Sequence, residues 1–187
     1  MSGAMKTFSV TESLEYPRPF DRCYWVLAGW FLAGAYPLSA DGNELINKLV
    51  EAGIRTVINL MEEGEDRLWG FALNSYNNGF TKAGETVSIL RRPVRDMDVP
   101  TFDEMVSILN DIDASIEGGD PVYLHCFGGL GRTGTVVGCW LARHGHGEGE
   151  TVLRILSKLR QKDIGYSQSS PQTLQQSRMV LNWKSGN

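Results

Sequence analysis

Residues 122 to 138 read VYLHCFGGLGRTGTVVG. An apolar run ends in His125 and Cys126. Gly128, Gly129 and Gly131 follow, and Arg132 and Thr133 then open a segment with a helical pattern. A strand, a glycine-rich loop and a helix start, in that order, describe an anion site. The first amides of a helix have no internal partner and carry partial positive charge. Glycines let the amides of the preceding loop turn inward as a nest. The planar fork of Arg132 matches two oxygens of a phosphate or similar oxyanion. Cys126 stands at the mouth of this arrangement. Inward amides, a helix N-terminus and a guanidinium all stabilise a thiolate, which is the nucleophilic form of cysteine. Groups that would hold an oxyanion thus also activate the sulfur that would attack it. A lone cysteine is ordinarily a small core residue, and a glycine-rich turn is ordinarily only a turn. Cysteine, five residues, arginine and threonine between a buried strand and a helix is a far more demanding coincidence.

The stretch HCFGGLGRT resembles the signature of the cysteine-dependent protein tyrosine phosphatases: His-Cys, five residues, then Arg-Ser/Thr. Chain size and loop look most like the dual-specificity group, and HCFGGLGR is similar to the loop of the kinase-associated phosphatases. The resemblance spans roughly residues 24 to 183, with its motifs in the central half. It implies that Cys126 forms a phosphocysteine intermediate and that Arg132 binds substrate and transition state. Phe127, Gly128, Gly129, Leu130 and Gly131 would offer phosphate-facing amides. His125 would fix the loop, and Thr133 would donate to the sulfur as it leaves in the second step. The resemblance implies neither a cofactor nor a metal.

Transfer of a phosphoryl group to sulfur leaves an oxygen that needs a proton. Two carboxyls lie close together in RRPVRDMDVP, Asp96 and Asp98. PVRD matches the proline-x-x-aspartate form of the family's acid loop. Asp96 also precedes Cys126 by thirty residues, room for one helix and one strand. Asp96 is the favoured acid. Gln172 and Gln176, one helical turn apart in PQTLQQ, resemble the Gln-Thr-x-x-Gln segment that positions the hydrolytic water. Glutamine pairs on exposed helix faces are common, so this match is the weaker one. Asn59 reads as a loop brace, His144 and His146 as flexible surface residues, and Cys23 and Cys139 as packing residues.

Departures from the family pattern narrow the class. The tryptophan-proline-aspartate loop and tyrosine-recognition segment of the large tyrosine phosphatases are not visible. The loop contains no lysine, which argues against inositol lipids. The low-molecular-weight phosphatases carry their cysteine loop near the N-terminus, unlike position 126. The expected substrate is a phosphorylated protein or peptide bearing phosphotyrosine, with phosphoserine or phosphothreonine as further substrates. Two alternatives stay open: the same chemistry on a nucleotide, RNA end or phosphosugar, and a phosphoprotein-binding module without turnover.

The elements needed to position these residues can be read along the chain. Residues 1–20 show no clear period and read as an irregular lead-in; 21–187 form the catalytic domain. CYWVLAGWFLAGAYP reads as two strands joined by a turn. SADGNELINKLVEAG is a helix with Asp41 as N-cap and Leu45, Ile46, Leu49 and Val50 on one face. IRTVINL is a buried strand, and the order suggests a βαβ unit. Residues 61–86 read as a loop and a short helix, and ETVSILRRPV as a strand. TFDEMVSILNDIDASIEGGD is a helix with a Thr101–Glu104 capping box and a core stripe of Phe102, Met105, Leu109, Ile112 and Ile116. After the glycine loop come a helix to about His144, a flexible GHGEGE break and two more helices, the last with Pro171 in its first turn. The sum is a single α/β domain with a central, mostly parallel twisted sheet flanked by helices.

Bulk composition agrees. The 187 residues, 42% hydrophobic and 21% charged, suit one globular domain with a buried core. A net charge of −4 disfavours a general nucleic-acid binder. Three cysteines match no zinc spacing and no disulfide framework, so a reducing, cytoplasmic setting is expected. No basic-then-apolar leader and no apolar run of membrane-spanning length is present.

Overall fold

Apolar runs of four or five residues bounded by turns build the centre of the molecule. The computed structural model of the chain describes residues 7–37, 44–65, 80 and 87–187. Five strands form one sheet: β1 (Cys23–Leu27), β2 (Phe31–Gly34), β3 (Thr56–Asn59), β4 (Ser88–Arg91) and β5 (Val122–His125), in the spatial order β1-β2-β5-β3-β4. Only the β1–β2 hairpin is antiparallel; β2, β5, β3 and β4 run parallel. Successive side chains alternate between the two faces. Trp25, Leu32, Val57 and Tyr123 enter one core, which Ile46, Leu49 and Ile54 complete. Tyr24, Ala33, Ile58 and Leu124 enter the other, which Met105, Val137, Leu156 and Val180 complete. This is the α/β architecture expected from the sequence.

The register delivers the chemistry to one place. His125 at the end of β5 lies opposite Gly34 of β2 and Asn59 of β3. The loop after β5 therefore leaves the carboxyl edge of the sheet between two neighbouring strands, the position where open α/β sheets bind ligands.

Helices cover both faces. Helix α2 (Glu44–Glu51) buries Ile46, Leu49 and Val50. Asp41 and most of the helix expected within 61–86 fall outside the described residues. Helix α3 (Phe102–Gly118) has the expected capping box, with Thr101 Oγ1 accepting from Glu104 N and the Glu104 carboxylate accepting from Thr101 N. Its core stripe differs at one position. Phe102 is exposed and stacks at 4.9 Å on Trp183, whereas Ile108 is buried. Helix α4 (Gly131–Arg143) is buried from Gly131 to Ala142 and forms the centre of one layer. Helices α5 (Glu150–Leu159) and α6 (Leu174–Asn182) pack against it.

Two further expectations are corrected. The lead-in holds a short helix, α1 (Val10–Glu15), capped by Ser9 and tied to the sheet where buried Ser13 donates to Val26 O. A single turn and a half is too short for a period to register in the sequence. Pro171 lies ahead of α6 and not in its first turn. Thr173 and Gln176 form a capping box there, so the helix starts at Leu174.

Candidate active site

The loop from Cys126 to Gly131 is held by its carbonyls. Cys126 O accepts from His125 Nδ1 at 3.2 Å, and Phe127 O from Tyr36 N at 3.0 Å. Gly128 O accepts from Arg22 Nη2 at 2.7 Å, and Leu130 O from Ser170 Oγ at 2.8 Å. A trans peptide points its N–H opposite to its C=O. The amides of Phe127, Gly128, Gly129 and Gly131 are therefore turned away from these outer partners. The loop also lies close against the end of β2. Gly129 has a φ of 72°, and a Cβ there would come within 2.5 Å of the Gly34 carbonyl carbon. Only glycine fits on both counts.

Cys126 is 3% exposed and sits beneath this loop. Thr133 Oγ1 accepts from Cys126 N at 2.9 Å and lies 3.1 Å from Cys126 Sγ, to which its hydroxyl can donate. His125 is fully buried between Tyr123 and Tyr36. Burial pushes its imidazole down to about 3, with Arg91 and Arg132 adding to the effect against the bond to Cys126 O. The ring is neutral. A carbonyl oxygen can only accept, so Nδ1 carries the proton, and His125 acts as a brace on the loop.

Arg132 is 2% exposed. Its Nη1 and Nη2 make a two-point pair with the Glu65 carboxylate at 2.7 and 2.6 Å, and Nη1 also donates to Val94 O at 3.0 Å. Burial opposes the charge, but Glu65, Cys126 and Asp96 outweigh it and hold the guanidinium above its ordinary value. Arg132 Nε is buried without a partner. A buried donor left open costs about 1–3 kcal/mol, and an oxyanion over the loop would accept from it.

The two aspartates separate clearly. Asp96 Oδ1 lies 3.0 Å from Arg132 Nη2 with its side chain 62% exposed, at the mouth of the site. Asp98 is occupied elsewhere. Its Oδ1 accepts from Val99 N at 2.9 Å and from Gln175 Nε2 at 3.3 Å, and its carbonyl accepts from Gln176 Nε2 at 3.0 Å. The glutamines separate in the same way. Gln176 is buried, and its Oε1 takes the amides of Gln172 and Thr173, both at 3.1 Å. Gln172 is exposed, with Oε1 only 2.7 Å from where a Cβ on Gly131 would stand.

The remaining sequence candidates lie away from the sulfur or serve as braces. Asn59 Oδ1 accepts from Met61 N. His144 Nε2 donates to Asp113 Oδ1 at 2.9 Å, and its ring lies tilted against Trp140; His146 stacks on Phe8. His144 is exposed and His146 half-buried, the surface placement expected of them, and each lies against an aromatic ring, Trp140 and Phe8 respectively. Burial pushes the Cys23 thiol up to about 12 and raises Cys139 as well. Sequence reasoning missed Glu65 and Arg22. Glu65 is one of several acids in MEEGED with nothing to single it out, and Arg22 lies in the lead-in to β1.

A family model described as a polymorphic toxin system DSP-PTPase phosphatase matches residues 33–146, more than half of the chain. The chain belongs to this family. It is a member of the cysteine-dependent phosphatases of the dual-specificity type. Among curated proteins it is 28% identical over 127 residues to mouse protein tyrosine phosphatase domain-containing protein 1, covering 62% of this chain and 17% of that protein. The chain thus spans less than a fifth of that relative. Among solved structures, kinase-associated phosphatase, with its catalytic-site cysteine substituted by serine, superposes with a TM-score of 0.66 at 18% identity, covering 80% of this chain and 83% of the other. PTPMT1 gives 0.63 at 25% identity, covering 83% and 89%. TpbA from P. aeruginosa, a cysteine-to-serine variant in complex with pTyr, gives 0.63 at 18% identity, covering 91% and 90%. Among the described residues no helix is long and apolar enough to cross a membrane.

Proposed function

We propose that this chain hydrolyses phosphomonoesters through a phosphocysteine at Cys126, with phosphotyrosine in proteins as the principal substrate and phosphoserine or phosphothreonine as lesser ones. The observation that carries the reading is the outward anchoring of four loop carbonyls around Cys126, together with the open Nε of Arg132. The loop amides turned from those partners and the open Nε are the donors that a dianion over the sulfur would take.

In the first step the Cys126 thiolate attacks phosphorus, and the bond to the ester oxygen breaks. Asp96, at the mouth, gives that oxygen its proton. The loop amides and Arg132 hold the three remaining phosphoryl oxygens as charge redistributes. In the second step a water placed by Gln172 attacks phosphorus and yields its proton to Asp96, while the S–P bond breaks. Thr133, 3.1 Å from the sulfur, donates to the departing thiolate. Gln176 takes no part in the chemistry; it fixes Gln172 and the Asp98 carbonyl. Three free thiols fit a reducing compartment such as the cytoplasm.

A panel of matched phosphotyrosine, phosphoserine and phosphothreonine peptides, with nucleotides and inositol phosphates alongside, tests the substrate class. The expected result is a higher kcat/KM on the phosphotyrosine peptide than on any other member. Preference for a nucleotide or an inositol phosphate would replace protein with a small-molecule substrate. Tight peptide binding without phosphate release would make the chain a binding module.

A further inference from the structure

The segment YPRPFDR before β1 touches the proposed site where Arg22 holds Gly128 O, and it is firmly docked along its length. Trp25 Nε1 donates to Pro17 O at 2.9 Å, Tyr16 packs edge-on against the same ring, and Ile164 N donates to Asp21 O at 3.1 Å. Prolines on both sides of Arg18 fix its approach. The docked segment lines a cleft of about 530 Å³ that reaches the phosphate loop at Phe127.

Among the described residues three cations line this cleft, Arg18, Arg22 and Lys48, against one carboxylate, Asp21. In a chain of net charge −4 this is a local reversal of sign. Internal pairing does not account for it. Among the described residues Arg18 Nη1 donates to the carbonyls of Asp21 and Cys23, and Arg22 Nη2 to Gly128 O. Neither has a carboxylate partner among the described residues. Lys48 pairs with Glu44 one turn away on α2, both exposed, a weak bond that a better acceptor can replace. Phe20 and Phe127, which also line the cleft, give a flanking peptide chain apolar surface to lie on.

We infer that the Arg18–Arg22–Lys48 cleft binds carboxylate side chains flanking the phosphorylated residue, so that the enzyme selects acidic phosphopeptides. The inference rests on the proposed reading that a phosphopeptide occupies the neighbouring loop. Because Arg22 also holds Gly128 O, it couples the cleft to the loop and is left intact in the test.

The experiment measures binding, so that it does not depend on turnover. Fluorescence anisotropy on the Cys126→Ser protein would compare two phosphotyrosine peptides identical except for Glu or Gln at flanking positions. The acidic peptide should bind about tenfold tighter at low salt, the sum of two or three exposed pairs, and added salt should shrink the ratio. Lys48→Gln alone should reduce the ratio, and Arg18→Gln with Lys48→Gln should bring it close to one, with the neutral peptide's affinity unchanged. Thermal unfolding checks that both variants fold, and Lys48, exposed on α2, carries the test if Arg18→Gln does not. Equal affinity for the two peptides, or a ratio indifferent to the Lys48 substitution, would overturn the inference. So would binding to phosphatidylserine vesicles with no discrimination between peptides. Turnover of a small aryl phosphate by the unmodified enzyme, measured in parallel, tests the phosphatase reading by itself. Its absence beside a preserved acidic preference would sink that reading and leave the cleft standing.

Discussion

Asp96 and Asp98 stand two residues apart, and their neighbours give them different work. Asp98 spends its carboxylate on Val99 N and Gln175, while Asp96 is directed at Arg132 and solvent. Asp96→Asn should lower kcat on an alkyl or phenyl phosphate by about 10²–10⁴-fold, the usual worth of a positioned acid. The loss on an aryl phosphate with an excellent leaving group should be much smaller. Equal losses on both would take the proton-donor role away from Asp96. Asp98→Asn keeps the Oδ1 acceptor for both of its bonds, so kcat should stay within a few-fold of the original. Sequence spacing could favour Asp96 because the acid loop is a local pattern. It could not find Glu65, whose pairing with Arg132 joins residues 67 positions apart, nor divide labour between Gln172 and Gln176, which depends on what each amide touches.

Helix α4 explains how the glutamines reach the loop at all. A Cβ at Gly134 would lie 2.1 Å from Ser170 Oγ, and one at Gly138 would lie 2.7 Å from both methyls of Val180. With Gly131 these positions make a smooth strip against which the C-terminal segment and α6 lie close, bringing Gln172 beside the loop. Gly138→Ala should destabilise the protein by about 1–3 kcal/mol in urea unfolding, the usual cost of overpacking a tight core contact. It should also slow dephosphorylation as α6 is pushed back. An unchanged or raised midpoint would contradict this packing. The strip lies within GRTGTVVG, but its partners Ser170 and Val180 stand far along the chain, where no local pattern points to them. The Thr101–Glu104 box was legible because its partners are three residues apart. Phe102 misled for the opposite reason: its helical phase points toward the core, and its contact with Trp183 joins distant parts of the chain.

At the scale of the whole molecule, the sheet's register and one buried imidazole set the conditions under which the site exists. His125 is held neutral at about 3 in the folded state, against about 6.5 when unfolded. Between these values the unfolded chain binds a proton that the folded chain refuses. The stability tied to this group is complete above about pH 6.5 and is lost as pH falls toward 3, at up to about 1.4 kcal/mol per pH unit. Urea unfolding across this window should show that slope, and His125→Asn should be less stable near neutrality and less steep below it. The same slope in both proteins would remove His125 as its source. The strands and a mostly parallel sheet were legible as short apolar runs alternating with helical patterns, whereas the placement of β5 between β2 and β3 rests on pairings no local signal carries. That placement puts Cys126 at the carboxyl edge of the sheet, and the proposed hydrolysis depends on its sulfur forming a bond to phosphorus. Acid quenching during turnover of an aryl phosphate, followed by peptide mass spectrometry, looks for that bond directly. The expected result is a phosphoryl adduct on the peptide containing Cys126 and neither adduct nor phosphate release in Cys126→Ser. Sustained phosphate release by Cys126→Ser, with no adduct in the unmodified enzyme, would contradict it.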